Sequence, residues 1–235
     1  MPASGLRIVA LGDSVTSGYN CNCAAFPAEY ATLLSGRDSI QASATNLGVN
    51  GLTSSGLLAQ LSGGSAADAS TQSVVAAADI VVVTIGANDF SDEHDPITAG
   101  ICAGAEHTAC TRDELTTMSQ TISRVVDLIR VLRDGRPTTI MLTGYWNIFE
   151  DGVVANTAFP NEGIAASIAL TKEANAAIRA DALAEDAIYV DLWPVFEGPD
   201  SDQDPTDLLA PDGDHPNAAG HAAIARQLLA DTPTM

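Results

Sequence analysis

Five short apolar runs punctuate the chain, and most neighbouring runs are separated by stretches with a helical pattern. The runs are Leu6–Leu11, Ala42–Leu47, Asp79–Ile85, Thr138–Thr143 and Ala187–Leu192. Runs of this length are typical of buried strands. Because helical stretches separate most of them, we predict an α/β protein whose parallel sheet is covered by helices on both faces.

The clearest helix is predicted over Asp113–Asp134. Its apolar side chains recur at three- and four-residue steps: Leu115, Met118, Ile122, Val125, Ile129 and Leu132. Residues 111–114, Thr-Arg-Asp-Glu, match a capping box at its start, and Gly135 and Pro137 are typical of its end.

Two further helices are predicted, one over Glu162–Ala184 and a last one to about Ala230. The last one follows Pro216, a residue type suited to a first helical turn. With 235 residues and no internal repeat, the chain is expected to fold as one domain, residues 1–235.

The longest connections follow strands, at Asn88–Arg112, Gly144–Gly163 and Trp193–His215. The returns from helix to strand are short. Ligand sites of open α/β sheets lie beyond the carboxyl ends of the strands, so the functional residues are expected at that edge.

Ser14 directly follows the first predicted strand, in the sequence Gly12-Asp13-Ser14. A glycine permits a tight turn there and can leave the serine facing solvent at the head of the next segment. The serine could be a nucleophile, or its hydroxyl could simply cap a helix.

Near the far end of the chain, Asp212 stands three residues before His215. Such an aspartate can accept the imidazole Nδ1 proton and leave Nε2 free to take a proton from a hydroxyl. The alternative is that both residues cap the last helix. Asp214 adjoins the histidine and is expected to point elsewhere, as an acidic surface residue.

Two further motifs close the second and third predicted strands, at Asn46–Gly51 and Gly86–Asp89. An oxyanion needs preorganised N–H donors, which a backbone amide and an asparagine side chain supply without net charge. Gly51 and Asn88 fit this role, although glycine and asparagine are also common turn residues.

Cys102 and Cys110 lie in one loop, where a disulfide would close a short ring, and we favour that pairing. A zinc site from His94, Cys102, His107 and Cys110 is the alternative, but its spacing matches no common ligand pattern. The pairing of Cys21 and Cys23 stays open.

The four motifs follow one another in the order serine, glycine, asparagine and Asp-x-x-His, and together they resemble the SGNH hydrolases, or GDSL esterase/lipase family. They span residues 12 to 215. The resemblance implies a three-layer α/β/α fold with a central five-stranded parallel sheet in flavodoxin-like order. It also implies Ser14 as nucleophile, His215 as base and Asp212 as its partner. The Ser14 N–H, the Gly51 N–H and the Asn88 side chain would form the oxyanion hole.

The chain departs from the family pattern at two points. Val15 stands where the first motif usually continues with leucine. Some secreted members bridge the loop after the third motif, as Cys102 and Cys110 would. Some also tie the loop after the nucleophile to a cysteine in the second motif, where this chain has Val49. Cys21 and Cys23 would therefore be bonded to each other or free.

The charge is strongly one-sided, with 30 acidic and 10 basic side chains and a net charge of −20. Nucleic acids and anionic membranes would be repelled, and no apolar stretch is long enough to span a membrane. No signal peptide is visible, so the chain is expected to be cytosolic or a trimmed mature protein, with secretion favoured. A monomer is favoured.

The resemblance implies hydrolysis of a small ester through an acyl-enzyme, without metal or organic cofactor. Short- to medium-chain acyl esters are the leading expectation; carbohydrate O-acetyl esters, lysophospholipids and thioesters are alternatives. Aromatic side chains of two long loops could line an acyl pocket or seal the rim of the domain: Tyr145, Trp146, Phe149, Phe159, Trp193 and Phe196.

Two other classes of protein are alternatives to an ester hydrolase. A calcium-binding module would use Asp200, Asp202, Asp204 and Asp207, but Pro205 and Pro211 occupy the glycine and glutamate positions of an EF-hand loop. A phosphate-binding or receiver-type domain would need a glycine-rich phosphate loop and a lysine near the strand ends, which the sequence lacks.

Overall fold

Five parallel strands form the central sheet of the computed structural model, which describes residues 5–102 and 107–234, without the side chains of residues 107–109. The strands are β1 Leu6–Gly12, β2 Ala42–Gly48, β3 Ile80–Thr84, β4 Thr139–Thr143 and β5 Ile188–Val190. Each of them coincides with one of the five predicted apolar runs. The α/β class is therefore confirmed.

The strands lie in the order β2-β1-β3-β4-β5, and all neighbouring strands are parallel. This is the flavodoxin-like order, in which the chain reverses direction across the sheet between β1 and β3. Gly12 at the end of β1 pairs with Gly48 of β2 and with Thr84 of β3. A crevice for ligands is expected beyond these three residues.

Burial follows each strand's place in the sheet. All five residues of β3 are buried, and β1 is buried from Ile8 onward. The edge strand β2 has only partly buried and exposed positions. Because β1 and β3 have neighbours on both sides and helices above and below, they hold the residues at their ends most firmly.

Ten α-helices and two 3₁₀ helices are found in the described part of the chain. The α-helices are α1 Ser14–Ser17, α2 Phe26–Asp38, α3 Ser54–Ser62, α4 Ala66–Ala77, α5 His94–Thr98, α6 His107–Arg133, α7 Gly152–Ala158, α8 Asn161–Ala184, α9 Trp193–Glu197 and α10 Ala218–Asp231. The 3₁₀ helices are Ala87–Glu93 and Pro205–Leu208.

The helices pack in two groups. Helix α6 contacts α3, α4 and α8, whereas α2 packs against α10. The two groups cover the sheet as the outer layers of a three-layer α/β/α fold, as expected from the resemblance. In the described residues, no helix is both long and apolar enough to cross a membrane.

One predicted helix start is wrong. Helix α6 begins at His107, six residues before Asp113, and Thr111 is fully buried inside it, so residues 111–114 do not form its N-terminal cap. Helix α10 follows Pro216 as predicted: it begins at Ala218 with Asn217 as its cap. Pro216 itself lies outside the helix and pairs with Leu209 in an isolated bridge. The helix predicted over Glu162–Ala184 is confirmed to within one residue.

Candidate active site

Ser14 is the first residue of α1 at the carboxyl end of β1, and it is not the helix cap. Asp13 is the cap, and its Oδ1 accepts a hydrogen bond of 2.9 Å from the Val15 N–H. Gly12 precedes it with φ +142°, and a Cβ there would lie 2.0 Å from the Thr84 carbonyl oxygen. Only glycine lets the chain turn so close to β3, and the turn leaves the Ser14 hydroxyl available for chemistry.

The fold brings Ser14, His215 and Asp212 together in one hydrogen-bonded series. The Ser14 Oγ lies 2.8 Å from His215 Nε2, although the two residues are 201 positions apart in the sequence. His215 Nδ1 lies 2.9 Å from Asp212 Oδ2. These are the distances at which a hydroxyl can pass its proton to an imidazole whose orientation a carboxylate holds.

Asp212 is held by several hydrogen bonds. Its Oδ1 accepts the backbone N–H groups of Asp214 and His215, each at 3.1 Å, and its Oδ2 accepts the side-chain amide of Asn20. Partial burial acts to raise the pKa of Asp212, but these hydrogen bonds outweigh it and the pKa falls below its ordinary value. Asp212 is therefore a carboxylate at neutral pH, ready to stabilise a charged imidazole.

The expectation that Asp214 points away is wrong. Gly213 turns the chain with φ +75°, and Asp214 lines the cavity at Ser14 with Oδ2 3.4 Å from His215 Nδ1. Burial raises the pKa of Asp214 to about 6; His215 opposes the shift, and the charge of Asp212 adds to it. A second carboxyl group thus lies beside the histidine, farther from it than Asp212.

Asn88 lies at the same edge, in the 3₁₀ helix that follows β3, and it lines the cavity. Gly51 has φ +72° and is exposed, and it is not among the described residues that line the cavity. The Asn88 side chain donates to the Leu52 carbonyl at 3.1 Å, so the two loops are joined next to Gly51. The structure places Asn88 in the site and Gly51 beside it.

The loop after Gly51 is held in place by Asp89. The carboxylate of Asp89 accepts the Ser54 backbone N–H at 2.8 Å and the Ser54 hydroxyl at 2.5 Å. Burial raises the pKa of Asp89, while these hydrogen bonds oppose the rise. This contact fixes the position of Asn88 relative to the second motif.

A buried pair beneath the serine escaped the sequence analysis. The Tyr145 hydroxyl donates to Asp13 Oδ2 at 2.5 Å, and both side chains are buried. Burial raises the pKa of Asp13 to about 6, although the hydrogen bonds from Tyr145 and Val15 oppose the rise. Tyr145 comes from the loop after β4, so only the folded chain reveals that it supports the turn at Ser14.

The cavity at Ser14 has a volume of about 220 Å³. Three of the predicted aromatic residues, Tyr145, Trp146 and Phe149, are among its lining residues. The other three are not: Phe196 stacks on Trp146 in the core, Phe159 packs near His94, and Trp193 lies under Lys172 in a separate groove. Three of the six aromatic residues therefore line this cavity, and the other three pack elsewhere.

His94 and Glu150 form a polar part of the cavity wall that sequence reasoning missed. His94 Nε2 lies 2.9 Å from Glu150 Oε2, and its Nδ1 lies 2.9 Å from Asp95. Burial acts to lower the pKa of His94, but the two carboxylates outweigh it and raise the pKa above its ordinary value. The cavity therefore offers charged groups as well as aromatic rings.

The structure contains the predicted Cys102–Cys110 disulfide, and Cys21 is bonded to Cys23. The first bond takes up two of the four ligands of the alternative zinc site. The side chain of a third, His107, lies outside the described residues. The zinc site is therefore not supported.

The acidic run of the calcium alternative is exposed at all four aspartates. Asp204 caps the second 3₁₀ helix, where it accepts the backbone N–H of Thr206 at 2.9 Å. Among the described residues, these carboxylates do not gather around a common point. The run fits a solvated surface with one capping residue.

A serine, an imidazole and a carboxylate in hydrogen-bonded series at the carboxyl edge of a parallel sheet are the arrangement of serine hydrolases. The sequence profile described as the GDSL-like lipase/acylhydrolase family matches residues 10–223. The chain belongs to this family, as the four sequence motifs indicated, and is by class a carboxylic ester hydrolase. No curated protein sequence gives a significant match.

Solved structures with the same fold include two lipases and an esterase. A lipase from a goat rumen metagenome has a TM-score of 0.74 at 19% identity, covering 96% of this chain and 97% of its own. An extracellular lipase from Streptomyces rimosus has a TM-score of 0.68 at 20% identity, covering 97% and 100%. An acetylxylan esterase from Geobacillus stearothermophilus has a TM-score of 0.65 at 20% identity, covering 98% and 95%. At such identities the likeness shows the fold.

Proposed function

We propose that the protein hydrolyses esters of short acyl chains, with Ser14 as nucleophile, His215 as general base and Asp212 as its partner. One observation carries the proposal: Oγ, Nε2, Nδ1 and a carboxylate oxygen lie in series at 2.8 and 2.9 Å. Asp212 keeps the proton of the neutral imidazole on Nδ1. Nε2 can then accept the serine proton.

In the first step, Ser14 Oγ attacks the ester carbonyl carbon while its proton passes to His215 Nε2. The protonated imidazole, stabilised by Asp212, then gives this proton to the leaving alcohol, and an acyl-serine remains. In the second step, water gives a proton to His215 and attacks the acyl carbon. The acid leaves, and Ser14 regains its proton.

The negative oxygen formed in each step would be stabilised by N–H donors at the ends of three strands. Support is strongest for the Ser14 N–H, at the start of α1, and for the Asn88 side chain, which lines the cavity. The Gly51 N–H is the third proposed donor. It is supported by the family pattern and by the hydrogen bond that ties Asn88 to the adjacent Leu52.

The cavity favours a small acyl group. Its volume of about 220 Å³ is below the range of about 300–1,000 Å³ that ligand sites usually have. Buried aromatic side chains close one side of it, so a long acyl chain would have to extend into solvent. Of the expected short- to medium-chain esters, the structure thus favours the short ones.

A carbohydrate O-acetyl ester is the second candidate, supported by the polar half of the cavity wall. His94, Glu150 and Asp214 offer carboxylate and imidazole groups that can bind the hydroxyls of a sugar. Among the fold relatives is the acetylxylan esterase. An acetyl group would occupy little of the cavity, and the sugar would lie at its mouth.

The proposal is tested by labelling and by a substrate series. A fluorophosphonate should modify Ser14 alone, as seen by peptide mass mapping, and should abolish hydrolysis. Rates on 4-nitrophenyl acetate, butyrate and octanoate should fall with chain length, and acetylated xylo-oligosaccharides separate the second candidate from the first. Labelling at another residue, or full activity after Ser14 is labelled, would overturn the proposal.

A further inference from the structure

The segment Tyr19–Cys23 lies in the loop between α1 and α2 and holds a disulfide between Cys21 and Cys23. Cys21 is partly buried and Cys23 is exposed. A thiol in solution can therefore approach the bond from the side of Cys23. The mechanism proposed above uses neither cysteine.

His221 of α10 lies next to this disulfide and is fully buried. Its Nδ1 accepts the backbone N–H of Phe26 at 3.3 Å. Burial, followed by the nearby His215, lowers the pKa of His221 to about 4, so the ring is neutral at pH 7. Since Nδ1 is an acceptor, the single proton is on Nε2.

The Nε2–H of His221 has no hydrogen-bond partner among the described residues. A buried donor without an acceptor is costly, and such groups usually have a role. One ring nitrogen of His221 and the sulfur atoms of Cys21 and Cys23 all lie within 4.8 Å of one another. A disulfide sulfur is a weak acceptor, whereas a thiolate is a strong one. Reduction would thus place a strong acceptor next to the His221 ring, whose N–H has none among the described residues.

We propose that Cys21–Cys23 is a site of thiol–disulfide exchange, at which a small thiol opens the bond and the His221 N–H stabilises the reduced form. A thiolate attacks the Cys23 sulfur, the S–S bond breaks, and Cys21 leaves as a thiolate beside His221. A second thiolate then attacks the sulfur of the small thiol in the mixed disulfide and releases Cys23. Two thiols lose two electrons and form one disulfide, and the protein gains two thiols with their two protons.

Cys102–Cys110 provides a contrast within the same chain. Its two cysteines are eight positions apart and Cys102 is buried, whereas Cys21 and Cys23 are two positions apart. A cross-link stabilises a fold mainly by restricting the unfolded chain, and this effect grows with the length of the closed loop. The shorter loop therefore contributes less to stability, and its bond is the one that can open while the fold is kept.

The same segment touches the proposed catalytic residues. The Asn20 side chain donates to the Asp212 carboxylate, and the Tyr19 ring lies edge-on to the His215 ring at 5.0 Å between centroids. Asn20 and Asn22, on either side of Cys21, have left-handed backbone angles, φ +57° and +49°. Opening the ring would release this conformation and loosen Asn20 from Asp212. This consequence, unlike the exchange itself, rests on the proposed function.

The first test compares the two disulfides in one sample. The intact chain is equilibrated with glutathione buffers of increasing reducing strength, alkylated and mapped by peptide mass. The reducing strength of each buffer is the ratio of the squared thiol concentration to the disulfide concentration. We expect Cys21 and Cys23 to become alkylated at a ratio at least tenfold lower than the ratio that opens Cys102–Cys110. Opening of both bonds together, or of Cys102–Cys110 first, would overturn the proposal.

The second test removes the donor. In His221→Leu the exchange equilibrium should move about tenfold or more toward the disulfide, the effect of losing a hydrogen bond to a charged group. His221→Gln keeps an N–H donor and should recover part of the shift. The Cys102–Cys110 equilibrium in each variant is the control for folding. An unchanged Cys21–Cys23 equilibrium in His221→Leu, or an equal shift of both bonds, contradicts the role of His221.

The third test measures ester hydrolysis. Reduced wild-type protein should hydrolyse 4-nitrophenyl acetate about tenfold more slowly than the oxidised protein, since Asp212 loses a hydrogen bond to its charged carboxylate. The double variant Cys21→Ser, Cys23→Ser should show the slow rate and no response to thiol. A wild-type rate that ignores reduction contradicts the link to the active site. If no ester is hydrolysed at all, the proposed function fails, while the alkylation tests still decide the exchange.

Discussion

The serine and the histidine of the site are held in opposite ways. Ser14 follows a central strand, and Gly12 and Asp13 before it are buried against β3 and Tyr145. His215 lies in a surface turn, partly exposed, where Asp212 accepts the turn's own backbone N–H groups. Ser14 is positioned by packing of the whole sheet, whereas His215 is positioned mainly by hydrogen bonds within its own turn, to which Asn20 adds a hydrogen bond to Asp212.

This difference predicts how the segment at Ser14 and the turn at His215 each respond to substitution. A substitution of the buried Gly12 or Asp13 should act on the stability of the fold, because these residues have no room to adjust. A substitution in the histidine turn should act on the rate of ester hydrolysis while the fold is kept, because few core contacts depend on it.

Removing the Ser14 hydroxyl breaks the hydrogen-bonded series of Ser14, His215 and Asp212 at its start. Ser14→Ala should lower kcat for 4-nitrophenyl acetate by a factor of about 10⁴–10⁶ with an unchanged unfolding temperature. Ser17→Ala is the matched control, since Ser17 lies in the same helix and its hydroxyl contacts Asn50 and the Ser14 backbone carbonyl but not the Ser14 hydroxyl. Ser14→Ala with near wild-type turnover would refute the assignment of the nucleophile.

Replacing each carboxylate beside His215 by an amide, one at a time, distinguishes the roles of Asp212 and Asp214. Asp212→Asn should lower kcat by a factor of about 10²–10⁴, because the amide can no longer hold the protonated imidazole. Asp214→Asn should cost less than about tenfold, since its carboxylate is 3.4 Å from Nδ1 and partly exposed. Unfolding temperatures of both should stay close to that of the wild type. The reverse order of the two rates would assign the role to Asp214.

Substitution of Gly12 tests how tightly the segment before Ser14 is packed against β3. Gly12→Ala should reduce the free energy of unfolding by about 3–5 kcal/mol, since a Cβ would meet the Thr84 carbonyl and the φ of +142° suits only glycine. Gly36→Ala, in α2 with open space around it, should instead raise it by about 0.5–1 kcal/mol. Urea titration measures both. Equal stability of the two variants would show that β3 yields to the added methyl group.

The titration of the buried Asp13 should make the free energy of unfolding depend on pH. Its folded pKa of about 6 lies above the ordinary 3.8, so the folded chain binds this proton more tightly than the unfolded chain. Its contribution to stability is greatest below pH 4 and is lost as the pH rises to 6, by about 3 kcal/mol. Asp13→Asn keeps the shape without the titration. Relative to this variant, the wild type should therefore lose stability over that range in urea titrations. If the free energies of unfolding of the two proteins change in parallel with pH, the raised pKa of Asp13 is contradicted.

Much of the fold could be predicted because its signals are local. The five apolar runs became the five strands, and the spacing of Met118, Ile122 and Val125 marked the buried face of α6. The start of α6 could not be predicted, because the burial of Thr111 depends on distant elements. The short helix α7 and the 3₁₀ helices likewise left no clear periodic signal.

The site was predictable where a motif carries its own geometry. The Asp-x-x-His spacing indicated the Asp212–His215 contact, and the ends of β1 and β3 indicated Ser14 and Asn88. The Tyr145–Asp13 hydrogen bond and the His94–Glu150 pair were missed because these residues come from loops whose paths no pattern describes. Asp214 was misjudged, since the turn at Gly213 directs it into the cavity.

The parallel α/β class, the family and the candidate site residues follow from the amino-acid sequence alone, because periodicity and short motifs are properties of neighbouring residues. The folded structure was needed to see that Ser14 Oγ and His215 Nε2 lie 2.8 Å apart and that Tyr145 supports the turn at Ser14. It was also needed to see that His221 lies beside Cys21 and Cys23 and that its Nε2 has no hydrogen-bond partner among the described residues. Such contacts depend on how strands and loops distant in the chain meet, and no local pattern encodes that meeting.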